Sequence, residues 1–149
     1  MDSSFRVPYF CNEIYTWEMR ILLVDRNEKF RENLKLFIEN SLKHRVVGEV
    51  SDIEDFQTSI IPNIDVILMD IKSSILNEFH SVDYMNDARR GCSFIALSQH
   101  KELADIQTLL NAGFMGFVSK EFIFRDLENA INTVTSGHLF YPKNFEKTK

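Results

Sequence analysis

The sequence predicts an α/β fold: a five-stranded parallel sheet covered by helices on both faces, a (βα)5 three-layer sandwich. From Arg20 onward, short apolar runs alternate with longer amphipathic segments, the pattern of parallel strands joined by helical crossovers. The run Ile64-Asp-Val-Ile-Leu-Met-Asp70 is nearly continuous in apolar residues, as a strand buried on both faces must be. Phe30, Leu34, Phe37, Ile38 and Leu42 recur at helical spacing just after the first apolar run, so a helix follows that strand and turns one face to the sheet.

In chain order, Arg20-Ile-Leu-Leu-Val-Asp25 is the first strand, and the helix carrying Phe30 to Leu42 leads to a second strand over Arg45 to Val50. Ser51 with Glu54 reads as a capping box opening a short second helix. Strand three is the 64–70 run. A third helix is expected near Leu76 to Arg90, where apolar positions are sparse, followed by a fourth strand over Ser93 to Ser98 and a fifth over Phe114 to Val118. Gly113 and Gly137 stand where helices end on a left-handed residue, and Ile123, Leu127, Ile131 and Val134 mark the inner face of the last helix. Residues 1–18 show no clean period and no identifiable strand partner, so they are expected to be an extension that adds little to the core. The expected organisation is this extension, one domain over residues 19–142, and a tail over residues 143–149.

A chain of 149 residues suits a single domain. With 44% hydrophobic and 26% charged residues it can bury a core. The formal net charge of −5 disfavours binding to a phosphate backbone, so no direct nucleic-acid role is expected. Cys11 and Cys92 are too few for a disulfide scaffold, no apolar run is long enough to span a bilayer, and the N-terminus lacks the pattern of a secretion signal. The expected setting is the cytoplasm, with no membrane partner.

In an open parallel sheet the ligand site lies beyond the carboxyl ends of the strands. Those ends carry Asp25 and Arg26, then Asp70, Ser98 and Lys120. Two carboxylates at one sheet edge repel each other unless a cation or a proton neutralises them. A hydroxyl and an amine on neighbouring strand ends supply donors for an oxyanion such as a phosphoryl group. The plainer alternatives are that Asp25 caps the first helix and that Lys120 is a solvated amine.

The runs ILLVDRNEKFR, VILMDIK, FIALSQH and GFVSKE resemble, in order and spacing, the four strand-end motifs of bacterial response-regulator receiver domains. Asp25 precedes Asp70 by 45 residues, Ser98 follows Asp70 by 28, and Lys120 follows Ser98 by 22. The resemblance runs from Met19 to about Pro142. It implies a flavodoxin-like fold and a signalling protein of two-component systems rather than an enzyme. By this resemblance Asp70 is the phosphoacceptor, Ser98 the switch hydroxyl, Lys120 the cation that pairs with the phosphoryl group, and Phe117 the switch aromatic. Asp25, Asp70 and Lys72 line the Mg²⁺ corner, and the phosphoryl donor is a histidine kinase or a phosphotransfer protein.

The ending SGHLFYPK resembles the segment that leads to the DNA-binding domain in NarL-type regulators, and only seven residues follow Pro142. Output is therefore expected through protein contact, by a downstream partner or a homodimer, on the face that the family builds from its fourth helix, fifth strand and fifth helix. Here that face spans roughly Lys101 to Gly137 and holds Leu109, Leu110, Phe114, Met115, Phe122, Ile123 and Phe124.

The acidic corner departs from the family. Most active receivers carry a second acidic residue after the first strand, and this chain has Arg26. A guanidinium stays protonated and cannot ligate a metal. Held about 5 Å from Mg²⁺ it would repel the ion by roughly 6 to 7 kcal/mol at an effective dielectric of about 20. Either Arg26 swings outward and Mg²⁺ binds weakly through Asp25 and Asp70, or Arg26 pairs with Asp70 in place of the metal. Gln99 after the switch hydroxyl is bulkier than usual, and the pair Lys72 and His100 is an unusual combination. Two functions follow: a phosphorylatable receiver, or a phosphorylation-independent pseudo-receiver acting as a protein-interaction module.

Other chemistries fit poorly. A flavodoxin-type electron carrier needs a Gly-, Ser- and Thr-rich loop after the first strand, and the loop here is Asp25-Arg-Asn-Glu-Lys29. A serine hydrolase needs a Gly-x-Ser-x-Gly elbow, and Ala96-Leu-Ser98-Gln-His100 lacks both glycines.

Overall fold

The computed structural model describes residues 8–11, 14–55, 63–71, 92–99 and 106–141. It opens with an antiparallel pair, β1 (Pro8–Cys11) and β2 (Ile14–Trp17), in the register Pro8↔Trp17 to Cys11↔Ile14. The expectation that residues 1–18 lack a strand partner is thereby corrected, because the partner lies within the segment. The short runs PYFC and IYTW are rich in aromatic and β-branched residues, which is the signal that could have found them.

The main sheet consists of β3 (Arg20–Val24), β4 (Arg45–Val50), β5 (Val66–Asp70), β6 (Ser93–Ser98) and β7 (Phe114–Ser119). Its order is β4-β3-β5-β6-β7, and every adjacent pair is parallel. Strand alternation sends Ile21, Leu23, Val66, Leu68, Ile95 and Leu97 to one face and Leu22, Val24, Ile67, Met69, Phe94 and Ala96 to the other.

On the first face, α1 (Glu28–Asn40) buries Leu34 and Ile38, and Leu42 just past its end is buried with them. Beside it α3 (Ile123–Thr135) buries Ile123, Leu127, Ala130, Ile131 and Val134. Leu109 of α2 (Ile106–Asn111), together with Ala112, packs on the opposite face. Gly113 and Gly137 adopt φ of 97° and 89° after α2 and α3, a conformation costly for any residue with a Cβ. Where Ser51 and Glu54 suggested a helix, the described part is a single 3-10 turn over Ile53–Asp55. The third helix expected near residues 76–90 lies outside the described residues.

β7 would leave an open edge, and the chain after α3 covers it. Phe140 pairs with Gly116 in parallel: its N–H donates to the carbonyl of Met115 at 3.0 Å, and its own carbonyl accepts from the N–H of Phe117 at 2.9 Å. The Tyr141 hydroxyl donates to the carbonyl of Phe114 at 2.8 Å, and burial raises its pKa well above the ordinary phenol value.

The start of the domain is held by a buried imidazole. The N–H of Met19 donates to Nδ1 of His44 at 3.0 Å, and the N–H of Arg20 donates to the Asp65 carboxylate at 2.8 Å. Burial lowers the His44 pKa below the usual imidazole value, against the opposing pull of Glu128, Glu18 and Asp65. Protonation would also turn Nδ1 from acceptor to donor and break the bond to Met19. The folded state therefore favours neutral His44. Its contribution to stability is full above about pH 6.5 and is lost as the pH falls through the lower folded value. Thermal unfolding from pH 7 to pH 5 should show a larger drop in Tm for the wild type than for His44→Asn, which keeps an acceptor but cannot titrate. Parallel profiles for the two proteins would refute this account.

Candidate functional site

The register places the two carboxylates together. Val24 pairs with Met69, so Asp25 and Asp70 leave β3 and β5 side by side. Here the strand order reverses, with β4 on one side of β3 and β5 on the other, the position at which open parallel sheets bind ligands. The backbone N–H of Asp25 is tied to the carbonyl of Val50 at 3.0 Å, which fixes this corner against β4.

Lys120 follows β7 in a short 3-10 turn, Lys120–Phe122, capped by the Ser119 hydroxyl accepting from the N–H of Glu121 at 3.3 Å. Its Nζ lies 2.6 Å from Asp25 Oδ2 and 3.0 Å from Asp70 Oδ1. With its side chain only 9% exposed, Lys120 bridges the two carboxylates and is not a solvated amine. The ring of Phe30, on the first turn of α1, stands beneath it, with its centroid 4.2 Å from Nζ.

Asp25 uses its other oxygen, Oδ1, to accept the N–H of Asn27 at 2.8 Å. The cap of α1 is Asn27, whose Oδ1 accepts from the N–H of Phe30 at 3.0 Å. The plainer reading of Asp25 as helix cap is therefore replaced: it binds Lys120 and steadies the residue that does cap. Arg31, one turn further on, donates to the carbonyl of Asp25 and pairs through Nε with Glu49 at 3.2 Å.

Arg26 points away from the sheet. Its side chain is 71% exposed and its Nε lies 2.8 Å from Asp52 Oδ1. Ser98 is buried at the end of β6, one residue beyond Leu97, the register partner of Asp70, and it pairs in register with Ser119 beside Lys120. Gln99 follows it and is exposed. Phe117 is buried and belongs to the core cluster on the face of the sheet that also holds Phe94, Phe114 and Leu109. Lys72 and His100 lie outside the described residues.

Of the apolar residues expected on the output face, Leu109, Phe114 and Ile123 are buried and Leu110 and Met115 are half-buried. Phe122 and Phe124 are 38% and 59% exposed. Phe124 meets Phe37 of α1 edge-on at 4.8 Å, so its ring sits on the seam between α1 and α3. Sequence reasoning missed Asn27 as cap, Asp52 as the partner of Arg26, and the ring of Phe30 beside Lys120. Only the first had a local signal, an asparagine immediately before a helical pattern.

The donor set suits a hard cation in a reduced form. Asp25 and Asp70 offer carboxylate oxygens at one point, and among the described residues no group of three or more His, Cys, Asp or Glu could hold a metal. Mg²⁺ is commonly held by one or two carboxylates when phosphate oxygens complete its shell.

Residues 21–132 match the family described as "Response regulator receiver domain". The chain is 28% identical over 123 residues to "Response regulator UvrY" of Escherichia coli K12, covering 82% of this chain and 56% of that protein. It is 26% identical over 122 residues to "Nitrate/nitrite response regulator protein NarL" of the same strain, covering 80% of this chain and 56% of that protein. The chain thus spans about half the length of the curated relatives it matches. Among solved structures it resembles a LuxR family DNA-binding response regulator from Silicibacter pomeroyi, with TM-score 0.67 and 24% identity over 85% of this chain and 98% of that one. It also resembles the isolated REC domain of RcsB from Salmonella enterica serovar Typhimurium in the apo form, with TM-score 0.65 and 18% identity over 87% of this chain and 97% of that one. At these identities the structural likeness is one of fold.

Proposed function

The chain belongs to the response regulator receiver domain family of two-component signalling, and from that premise we propose that Asp70 accepts a phosphoryl group and that the domain signals through protein contact. The observation that carries this reading is Lys120, half-buried and bridging Asp70 Oδ1 at 3.0 Å and Asp25 Oδ2 at 2.6 Å. An amine so placed neutralises the attacking carboxylate and stands ready to pair with phosphoryl oxygens.

In the reaction, an oxygen of Asp70 attacks phosphorus and forms a P–O bond. The P–N bond of a phosphohistidine donor, on a histidine kinase or phosphotransfer protein, breaks with its electron pair going to the imidazole nitrogen, which takes up a proton. Ser98, buried at the adjoining strand end, is the hydroxyl that then turns toward the phosphoryl group, and Phe117 is the aromatic that couples this turn to the outer face. Gln99, exposed at the rim, narrows the approach of the donor.

Receiver domains generally hold Mg²⁺ at the acidic pocket, and here Asp25 and Asp70 would hold it. When bound, the ion supplies positive charge for the phosphoryl oxygens. Arg26, bonded to Asp52, removes one family ligand but leaves the corner open, so binding is weak in the resting protein. A second reading, a phosphorylation-independent interaction module, is favoured by the same bridge, because Lys120 already compensates the two carboxylates without metal or phosphate.

Intact mass measured with phosphoramidate and Mg²⁺ separates the two. The wild type should gain one phosphoryl group, Asp70→Asn none, and Arg26→Asp should reach half-labelling at lower Mg²⁺. An unlabelled wild type under conditions that label Arg26→Asp would establish the interaction-module reading instead.

A further inference from the structure

Among the described residues, the ammonium of Lys120 has three close neighbours: Asp25 Oδ2 at 2.6 Å, Asp70 Oδ1 at 3.0 Å, and the ring of Phe30, its centroid at 4.2 Å. The first two are carboxylates, free to exchange partners with water, cations or a phosphoryl group. The third cannot. A cation near the centroid of an aromatic face is attracted by the negative face of the ring quadrupole, and the attraction grows as water is excluded; here the Lys120 side chain is 9% exposed and Phe30 is half-buried.

The ring is also tied to the pocket it serves. Asp25 Oδ1 accepts the N–H of Asn27 at 2.8 Å, Asn27 Oδ1 accepts the N–H of Phe30 at 3.0 Å, the Phe30 ring faces Lys120, and Lys120 returns to Asp25 through Oδ2. One carboxylate thus fixes both the lysine and the helix cap that orients the aromatic. At the sequence level Phe30 reads only as a residue on the inner face of α1, where its spacing from Leu34 and Phe37 asks for an apolar side chain and not for an aromatic one.

We propose that Phe30 is a positioning residue for Lys120, its aromatic face keeping the ammonium at the mouth of the pocket while the carboxylate contacts are exchanged for phosphoryl oxygens. The second half of this statement rests on Asp70 being the phosphoacceptor, and the first half does not. An aliphatic residue at position 30 would fill the space yet let Lys120 sample outward rotamers once the Asp70 carboxylate carries a phosphoryl group.

The test is run on the full chain with isotope-labelled lysine, the Lys120 signals being assigned by their loss in Lys120→Met. In the wild type the Lys120 ε-methylene protons should lie upfield of the other lysines through the ring current of Phe30. The displacement should vanish in Phe30→Leu and Phe30→Met and return in Phe30→Tyr. In parallel, the rate of labelling by phosphoramidate with Mg²⁺ should fall about fivefold in Phe30→Leu and recover in Phe30→Tyr.

An unshifted Lys120 methylene in the wild type overturns the proposal, and that reading needs no variant to fold. A slower labelling of Phe30→Leu that Phe30→Tyr fails to rescue also overturns it, since it marks a packing role. If the wild type is not labelled while the methylene shift behaves as stated, the phosphoacceptor reading fails and the placement of Lys120 by Phe30 stands.

Discussion

Replacing Lys120 with methionine is expected to lower the stability of the folded domain by about 3 kcal/mol at neutral pH, the cost typical of removing one partner from a buried ion pair. Methionine preserves most of the side-chain volume, so the loss isolates charge from packing. It leaves Asp25, almost fully buried, facing Asp70 across the same corner with no cation between them. The double variant Lys120→Met with Asp70→Asn should regain a large part of the loss, because only one carboxylate then remains to be desolvated. Mg²⁺ should also stabilise Lys120→Met more than the wild type, since the cation would occupy the place of the amine. Urea unfolding of the three proteins with and without Mg²⁺ measures all of this. A Lys120→Met protein as stable as the wild type would mean that the triad contributes nothing net to folding.

The second large effect is expected at Gly116, in the middle of β7. A Cβ there would lie 3.2 Å from Val134 Cγ1 and 3.3 Å from the carbonyl oxygen of Phe140. The valine methyl can shift slightly, but the carbonyl belongs to the backbone that closes the sheet edge and is held by the N–H of Phe117 at 2.9 Å. Gly116→Val should therefore destabilise by about 2 to 3 kcal/mol through overpacking, although valine is the better strand former on propensity alone. Amide exchange should show where the strain goes, with Phe117 and Phe140 losing protection before the centre of the sheet does. A Gly116→Val protein at least as stable as the wild type would show that the strand preference wins and that the segment after α3 yields freely.

These two sites differ in how far the sequence revealed them. Lys120 was legible as a strand-end residue because each apolar run ends in a polar one, and parallel topology gathers strand ends at one edge. Gly116 was not, since nothing near position 116 announces that Phe140 will lie against it.

The same division holds across the molecule. By itself the sequence determined the five strands, the inner faces of the first and last helices, the glycine stops at Gly113 and Gly137, and the set of residues at the carboxyl edge. These follow from periodicity and from local backbone preference, which act over a few residues. The antiparallel pair of Pro8–Cys11 with Ile14–Trp17 is equally local, but each strand is too short to show a clear period. Only the tertiary structure decided that Lys120 bridges Asp25 and Asp70 and that Arg26 turns to Asp52. It likewise decided that Asn27 is the cap, that Phe30 faces Lys120, and that Phe124 rests on Phe37. Each of these is a choice among competing partners. For a long charged or aromatic side chain that choice depends on which other elements pack within its reach, and residues such as Asp25 and Lys120, 95 positions apart, meet only once the sheet has formed.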